Sequence, residues 1–142
     1  MKKAKAMLGL VSIVALLGVS GCSTLHKSDS AILQGMWKGQ EIGGPAGGLC
    51  SFIISGTVLE FRGADTKEWY KGTFTLREDT NPRQVVAVIT ECPFPQYMGK
   101  TTHAIYRVEG GTLTVAANEP GNPEVPADFD ARGARHFVLR RD

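Results

Sequence analysis

Past the N-terminal lead, no stretch of this 142-residue sequence sustains helical periodicity beyond a single turn, which argues against an architecture built on helices. Cysteine is scarce, at three residues, and no C-x-x-C pair is present to support a redox role. The three histidines, His26, His103 and His136, are scattered, with no H-x-x-x-H or H-x-H spacing that would suggest a metal centre. No nucleophile elbow occurs; Ser20 lies in "GVSGC", which lacks the G-x-S-x-G spacing. No glycine loop opens a helix to cradle a phosphate, and Glu41 and Glu91 are acids without a partner that the sequence identifies. No repeat recurs at solenoid spacing. Catalysis is therefore not expected, and neither a metal nor a cofactor is.

What is present begins with the N-terminal lead. Lys2, Lys3 and Lys5 precede "AMLGLVSIVALLGV" (6–19), an apolar run of fourteen residues broken only by Ser12. A spanning helix needs about 20 apolar residues, so this run is short for a permanent anchor. A basic start, a short apolar centre and small residues before a break are the parts of a secretory signal peptide. The alternative is a buried or uncleaved N-terminal helix. "VSGC" (19–22) then resembles the bacterial lipobox, a branched apolar residue and two small residues before a cysteine that takes a diacylglyceryl thioether. The resemblance implies cleavage after residue 21 and a lipid on Cys22. One chain would bind membrane only marginally, at about 0.8 kcal/mol per buried methylene, whereas two or three hold firmly. Ser23 in place of Asp points to the outer membrane under the commonest sorting rule, with the domain in the periplasm or exposed outside.

Cleavage changes the charge argument. Three of the 16 Lys and Arg residues lie in the lead, which leaves 13 against 14 Asp and Glu. Nothing in that balance suggests a nucleic-acid partner. The remaining 121 residues make one domain. Residues 22–30 read as a polar tether and 31–142 as the folded unit. Cys50 and Cys92 remain, and an even pair in an exported chain reads first as a disulfide, worth about 3–4 kcal/mol on a chain-entropy account. Two free thiols or a metal-binding pair are the alternatives.

"SAILQGMW" (30–37) allows one helical turn, with Ser30 or Asp29 as N-cap. Strands are predicted near 36–42, 50–55, 57–62, 68–77, 84–91, 102–109, 112–117 and 135–141. The clearest is "WYKGTFTLR" (69–77), where Tyr70, Gly72, Phe74 and Leu76 share one face and Trp69, Lys71, Thr73, Thr75 and Arg77 the other. Gly110 and Gly111 suit a tight hairpin in "VEGGTLTV" (108–115). Eight strands joined mostly by short turns predict an all-β, antiparallel up-and-down barrel with a short N-terminal helical turn. "GGPAGGL" (43–49) and the proline-bearing "NEPGNPEVPADFDARGA" (118–134) are loops that either carry function or cover a barrel end.

Gly35-Met36-Trp37 within "LQGMWKG" (33–39) resembles the G-x-W of lipocalin first strands. More specifically, residues 31–142 resemble a bacterial lipocalin-like family of uncharacterised proteins. The shared features are the L-Q-G-x-W opening, "KGTF" (71–74), "NPR" (81–83), "IYRVEGGTL" (105–113), "VPADF" (125–129) and "FVLRR" (137–141). "GGPAGGLCSFIIS" (43–55) and "ECPFPQYMGK" (91–100) depart from that pattern, and they hold the two cysteines. The resemblance implies a lipocalin-like barrel with Trp37 plugging its base beneath a basic residue of the last strand. Parity with Phe137 and Leu139 selects Arg141 for that residue and turns Arg140 outward.

Phe61, Tyr70, Phe74, Ala87, Ile89, Val115 and Phe137 occupy inward positions and are the candidate ligand-binding wall, with Leu59, Val85, Leu113 and Leu139 beside them. The same side chains can instead fill an eight-stranded interior by themselves. Gly39, Gly72 and Ala87 either leave space inside or let strands bend. Trp69, Lys71, Val86 and Val88 form a candidate outer face. The expected function is an envelope lipoprotein that binds a small apolar or amphipathic ligand. The alternative is a filled barrel that presents the 43–49, 91–100 and 118–134 loops to an envelope protein.

Overall fold

A computed structural model describes residues 25–44 and 48–142; the lead, Cys22 and residues 45–47 of the glycine-rich loop lie outside the described residues. After a four-residue helix, α1 (Asp29–Ile32), come eight antiparallel strands: β1 (Gly35–Ile42), β2 (Leu49–Ser55), β3 (Val58–Arg62), β4 (Trp69–Arg77), β5 (Arg83–Glu91), β6 (Thr101–Glu109), β7 (Thr112–Ala117) and β8 (Arg135–Arg141). They follow one another around a closed, lipocalin-like barrel, with β1 paired to β8 through Trp37–Arg141, Gly39–Leu139 and Ile42–His136. Every expected strand is present, with ends within one residue of those predicted. Closure removes the unpaired edges that an open sheet would expose.

The two ends differ. At one, strands meet in tight turns at Gly56, at Gly110–Gly111 and in the 78–82 loop, and α1 lies across the opening. At the other, longer segments connect β1 to β2, β3 to β4, β5 to β6 and β7 to β8, including a 3₁₀ turn at Pro95–Tyr97. Alternation sends one face of every strand inward. Leu33, Trp37, Phe52, Ile54, Phe61, Phe74, Tyr106, Leu113, Val115, Phe137 and Leu139 form a continuous core.

Gly39 and Gly72 are points of close backbone approach, and Gly72 also borders the barrel's interior space. A Cβ at Gly39 would sit 2.0 Å from the Val138 carbonyl oxygen, and one at Gly72 2.0 Å from that of Val88. At these points neighbouring backbones press together, which only glycine permits. Gly72 also adjoins a register shift between β4 and β5.

Four expectations need correction. The N-cap is Ser28, whose hydroxyl accepts from the Ala31 N–H; Asp29 and Ser30 are already helical. The folded unit thus begins before residue 31, since Asp29 is 5% exposed and tied to the barrel. The Cys50–Cys92 disulfide is not formed. Cys50 is a buried free thiol near the start of β2, and Cys92, past the end of β5, donates to the Phe94 carbonyl at 3.1 Å. Three strand-to-strand steps around the barrel separate β2 from β5, so pairing side chains from those positions would have to cross the open end. Finally, the 118–134 segment is more than a covering for the barrel end. Phe129 packs on Arg107 at 4.7 Å and the Ala131 carbonyl meets His136 Nε2 at 3.1 Å, both on the outer wall. Ile105 and Ala116, paired side by side on that wall, are fully buried even though they alternate away from the core.

Candidate functional site

The candidate site is the barrel interior, which has a closed floor at the α1 end. Trp37 is 1% exposed, and its indole N–H donates to the Leu33 carbonyl at 2.9 Å. The Arg141 guanidinium lies 4.4 Å from the Trp37 ring centroid and donates to the carbonyls of Gln34, at 2.6 Å, and Ile32. One side chain thus stacks on the plug and satisfies carbonyls that the end of α1 leaves open. The expected Trp37–Arg141 base is present, and Arg140 is exposed as parity required.

A second anchor holds α1 against β5 and β6. The Asp29 carboxylate accepts from Arg83 and from the Tyr106 hydroxyl, each at 2.7 Å, while its backbone N–H donates to Glu78 at 2.6 Å. Burial first, then the hydrogen bond to Asp29, pushes the Tyr106 phenol far above its ordinary range. Gln34 exchanges two hydrogen bonds with Gly56, which locks the helix to the β2–β3 turn. The floor is therefore closed by packing, cation–π contact and charge-assisted hydrogen bonds together.

Above the floor the barrel is not filled. A lower chamber of about 100 Å³ lies among Leu33, Ile54, Phe74, Leu76, Val85 and Val115. An upper cavity of about 340 Å³ reaches the open end past Phe61, Tyr70, Ile89 and Phe137. Phe52, Leu59, Ala87, Thr102 and Ala117 line both, so the two meet at a waist of mostly small side chains. All seven candidate wall residues border one chamber or the other: Phe61, Tyr70, Ile89 and Phe137 above, Phe74 and Val115 below, Ala87 at the junction. Leu139 is instead buried in the packed core.

The mouth carries polar chemistry that sequence reading did not assemble. Arg135 donates twice to Glu41, from Nε at 2.8 Å and from Nη2 at 2.7 Å, and once to Glu68 at 2.5 Å. Its guanidinium also lies 5.3 Å from the Phe61 ring and 5.4 Å from Phe137. The Arg135 hydrogen bonds hold the Glu41 carboxyl below the usual range, and the same pair holds Arg135 firmly cationic. Tyr70, Phe94 and Tyr97 form an aromatic cluster with centroids 5.7–6.2 Å apart, and Tyr97 donates to Glu119 at 2.7 Å. Burial pushes the Tyr70 phenol up to about 12 and the Cys50 thiol up to about 11.

No family model, curated protein or solved structure matches this chain. The site is accordingly described by its own geometry. Among the described residues no cluster of His, Cys, Asp and Glu is placed to hold a metal ion, and no helix is long and apolar enough to cross a membrane. Glu41 does have a partner, contrary to the sequence reading, and it is Arg135. Glu91 is exposed on the rim. Phe52 was also missed, although Cys50, Phe52 and Ile54 alternate plainly in "CSFIIS".

Proposed function

We propose that this protein is an envelope lipoprotein, held by lipid on Cys22, whose barrel binds a small apolar or amphipathic molecule. The observation that carries the reading is the two-chamber cavity, apolar at depth and polar only at its mouth. Its upper volume of about 340 Å³ lies at the lower end of what small-ligand sites enclose. That suits one alkyl chain or a ring system and is too small for a two-chain lipid. The lead sequence and lipobox support export and anchoring, and the ordered motifs from Leu33 to Arg141 support kinship with the bacterial lipocalin-like family. Binding fits the mouth better than catalysis does. Glu41 is locked as an ion in its pair with Arg135, and an acid held permanently ionised makes a poor proton shuttle near neutral pH.

Native mass spectrometry of residues 23–142, purified from an oxidising compartment without added lipid, tests the reading. A retained small molecule that is lost on denaturation is the expected result. A protein that emerges empty and stays empty when offered apolar compounds would contradict it. One feature favours the interaction-module alternative: Ile42, Leu49 and Met98 project apolar side chains from the rim, Leu49 being 64% exposed. On that reading, partner capture survives a substitution that fills the cavity.

A further inference from the structure

One polar atom sits deeper than the mouth. Thr102, on β6, pairs with Ala87 of β5, which in turn pairs with Phe74 of β4. Thr102 alternates inward with the core residues Ala104 and Tyr106, and it borders both chambers. The hydroxyls of Thr80 and Thr90 donate to backbone carbonyls, whereas that of Thr102 has no partner among the described residues. Nor is it sealed off, since among those residues the buried side-chain polar atom without a partner is His136 Nδ1. The lower chamber presents only hydrocarbon. The Thr102 hydroxyl therefore opens into the upper cavity, at the waist.

The charged groups of the lining belong to the other end of that cavity. Arg135 opens β8, Glu119 follows the end of β7, and Lys71 is the third residue of β4. An ion drawn down to the waist would leave water for walls of Phe52, Leu59, Ala87 and Ala117, a costly transfer. A neutral oxygen costs far less to bring there, and the Thr102 O–H offsets that cost by donating to it. Hydrocarbon alone at the waist would instead cover the hydroxyl and leave it with neither water nor partner. Both effects favour a ligand whose oxygen meets Thr102. Tyr70 is the competing donor. Tyr97 and Tyr106 donate to Glu119 and Asp29, while the Tyr70 hydroxyl has no partner among the described residues. Tyr70 packs with Phe94 and Tyr97 at the open end, so an oxygen held by it would sit at the mouth.

We propose that the cavity selects neutral ligands bearing a keto, ester or hydroxyl oxygen a few carbons in from one end, the oxygen bonded to Thr102 and the short alkyl arm filling the lower chamber. This selectivity rests on the carrier reading above and adds to it the place and kind of the ligand's polar group.

Two isomers, 5-nonanone and 2-nonanone, separate the possibilities, because they share a formula and differ little in their tendency to leave water. With its carbonyl at the waist, 5-nonanone sends a butyl arm into the lower chamber, whereas 2-nonanone sends only a methyl group. With its long arm down, 2-nonanone carries its oxygen away from Thr102. Each is titrated against residues 23–142 loaded with the fluorophore N-phenyl-1-naphthylamine, and displacement is corrected for the fluorophore's own affinity for each protein. The expected result is tighter binding of 5-nonanone, by about three- to tenfold, as one hydrogen bond allows. Thr102→Val keeps the branched shape and should bring the two ketones within about twofold of each other. Thr102→Ser and Tyr70→Phe should both keep the preference. Equal binding to wild type, or tighter binding of 2-nonanone, overturns the selectivity and leaves the carrier reading standing. A folded Thr102→Val protein that keeps the full preference, or a Tyr70→Phe protein that loses it, overturns the assignment to Thr102. Failure to bind the fluorophore and both ketones overturns the carrier reading as well.

Discussion

At the scale of single residues, the floor of the barrel is the most heavily committed region. Trp37 fills it, and Arg141 both covers the indole and caps α1. Trp37→Ala should cost about 3–5 kcal/mol, the usual range for emptying a large aromatic from a core. Arg141→Gln removes the cation–π contact and weakens two carbonyl contacts, for a loss of about 1–3 kcal/mol. Urea unfolding monitored by circular dichroism measures both. Cys50 and Tyr70 give the fold a pH signature. Each is held neutral by burial, so the unfolded chain gives up its proton at lower pH than the folded chain does. Their contribution is complete below the unfolded values. It falls as pH rises, from 9.0 to about 11 for Cys50 and from 10.0 to about 12 for Tyr70. Unfolding midpoints measured between pH 8 and pH 11 should decline, and Cys50→Ala should flatten the first part of that decline. The floor residues were legible in the sequence, because Trp37 and Arg141 follow from a motif and from strand parity. The mouth was not. Parity places Glu41 with Trp37, and Arg135 with Phe137, but only the β1–β8 register, Glu41 opposite Phe137, brings the two charges together. The disulfide expectation failed for a related reason: two cysteines in an exported chain say nothing of the three strand steps between their positions.

At the scale of elements, curvature depends on a few positions. Gly39 and Gly72 sit where a Cβ would collide with a neighbouring carbonyl, and these contacts are backbone, which cannot rotate aside. Gly39→Ala and Gly72→Ala should each destabilise the barrel by about 1–3 kcal/mol or more, as overpacking does. Gly43→Ala, where a Cβ meets nothing within 4 Å, pays only the strain of its positive φ and should cost less in the same urea series. Strand positions were legible to within one residue because β-branched runs and turn residues alternate so regularly. The strap of residues 118–134 was not legible. Its proline-rich composition marks a loop, and nothing local says that Phe129 turns back onto Arg107 or that Ile105 and Ala116 need cover. A long-range contact between an irregular segment and an outward strand face leaves no periodic trace in either.

At the scale of the whole molecule, the closed end, where α1 lies, is also where the tether enters. Residues 22–28 span at most about 25 Å when extended. On the proposed lipid anchor the floor therefore faces the membrane, and the mouth faces away from it. A fluorophore attached through Thr57→Cys, at the closed end, should be quenched by lipid-borne quenchers, and one attached through Gln96→Cys, at the open end, should not. Both labels belong in a background with Cys50 and Cys92 changed to Ala. Ligand would then exchange with the aqueous phase beyond the anchor, through an opening edged by Lys71, Glu119 and Arg135.

The space within the barrel is the proposed binding site, and Ala87 is the residue through which to test it, because it borders both chambers. The most direct measurement is a titration of wild type and Ala87→Trp with N-phenyl-1-naphthylamine, paired with circular dichroism spectra of both proteins. Saturable fluorescence enhancement in wild type, abolished by Ala87→Trp while the β-sheet spectrum is retained, is the predicted result. Undiminished enhancement in a folded Ala87→Trp protein would place binding outside the barrel and contradict the account.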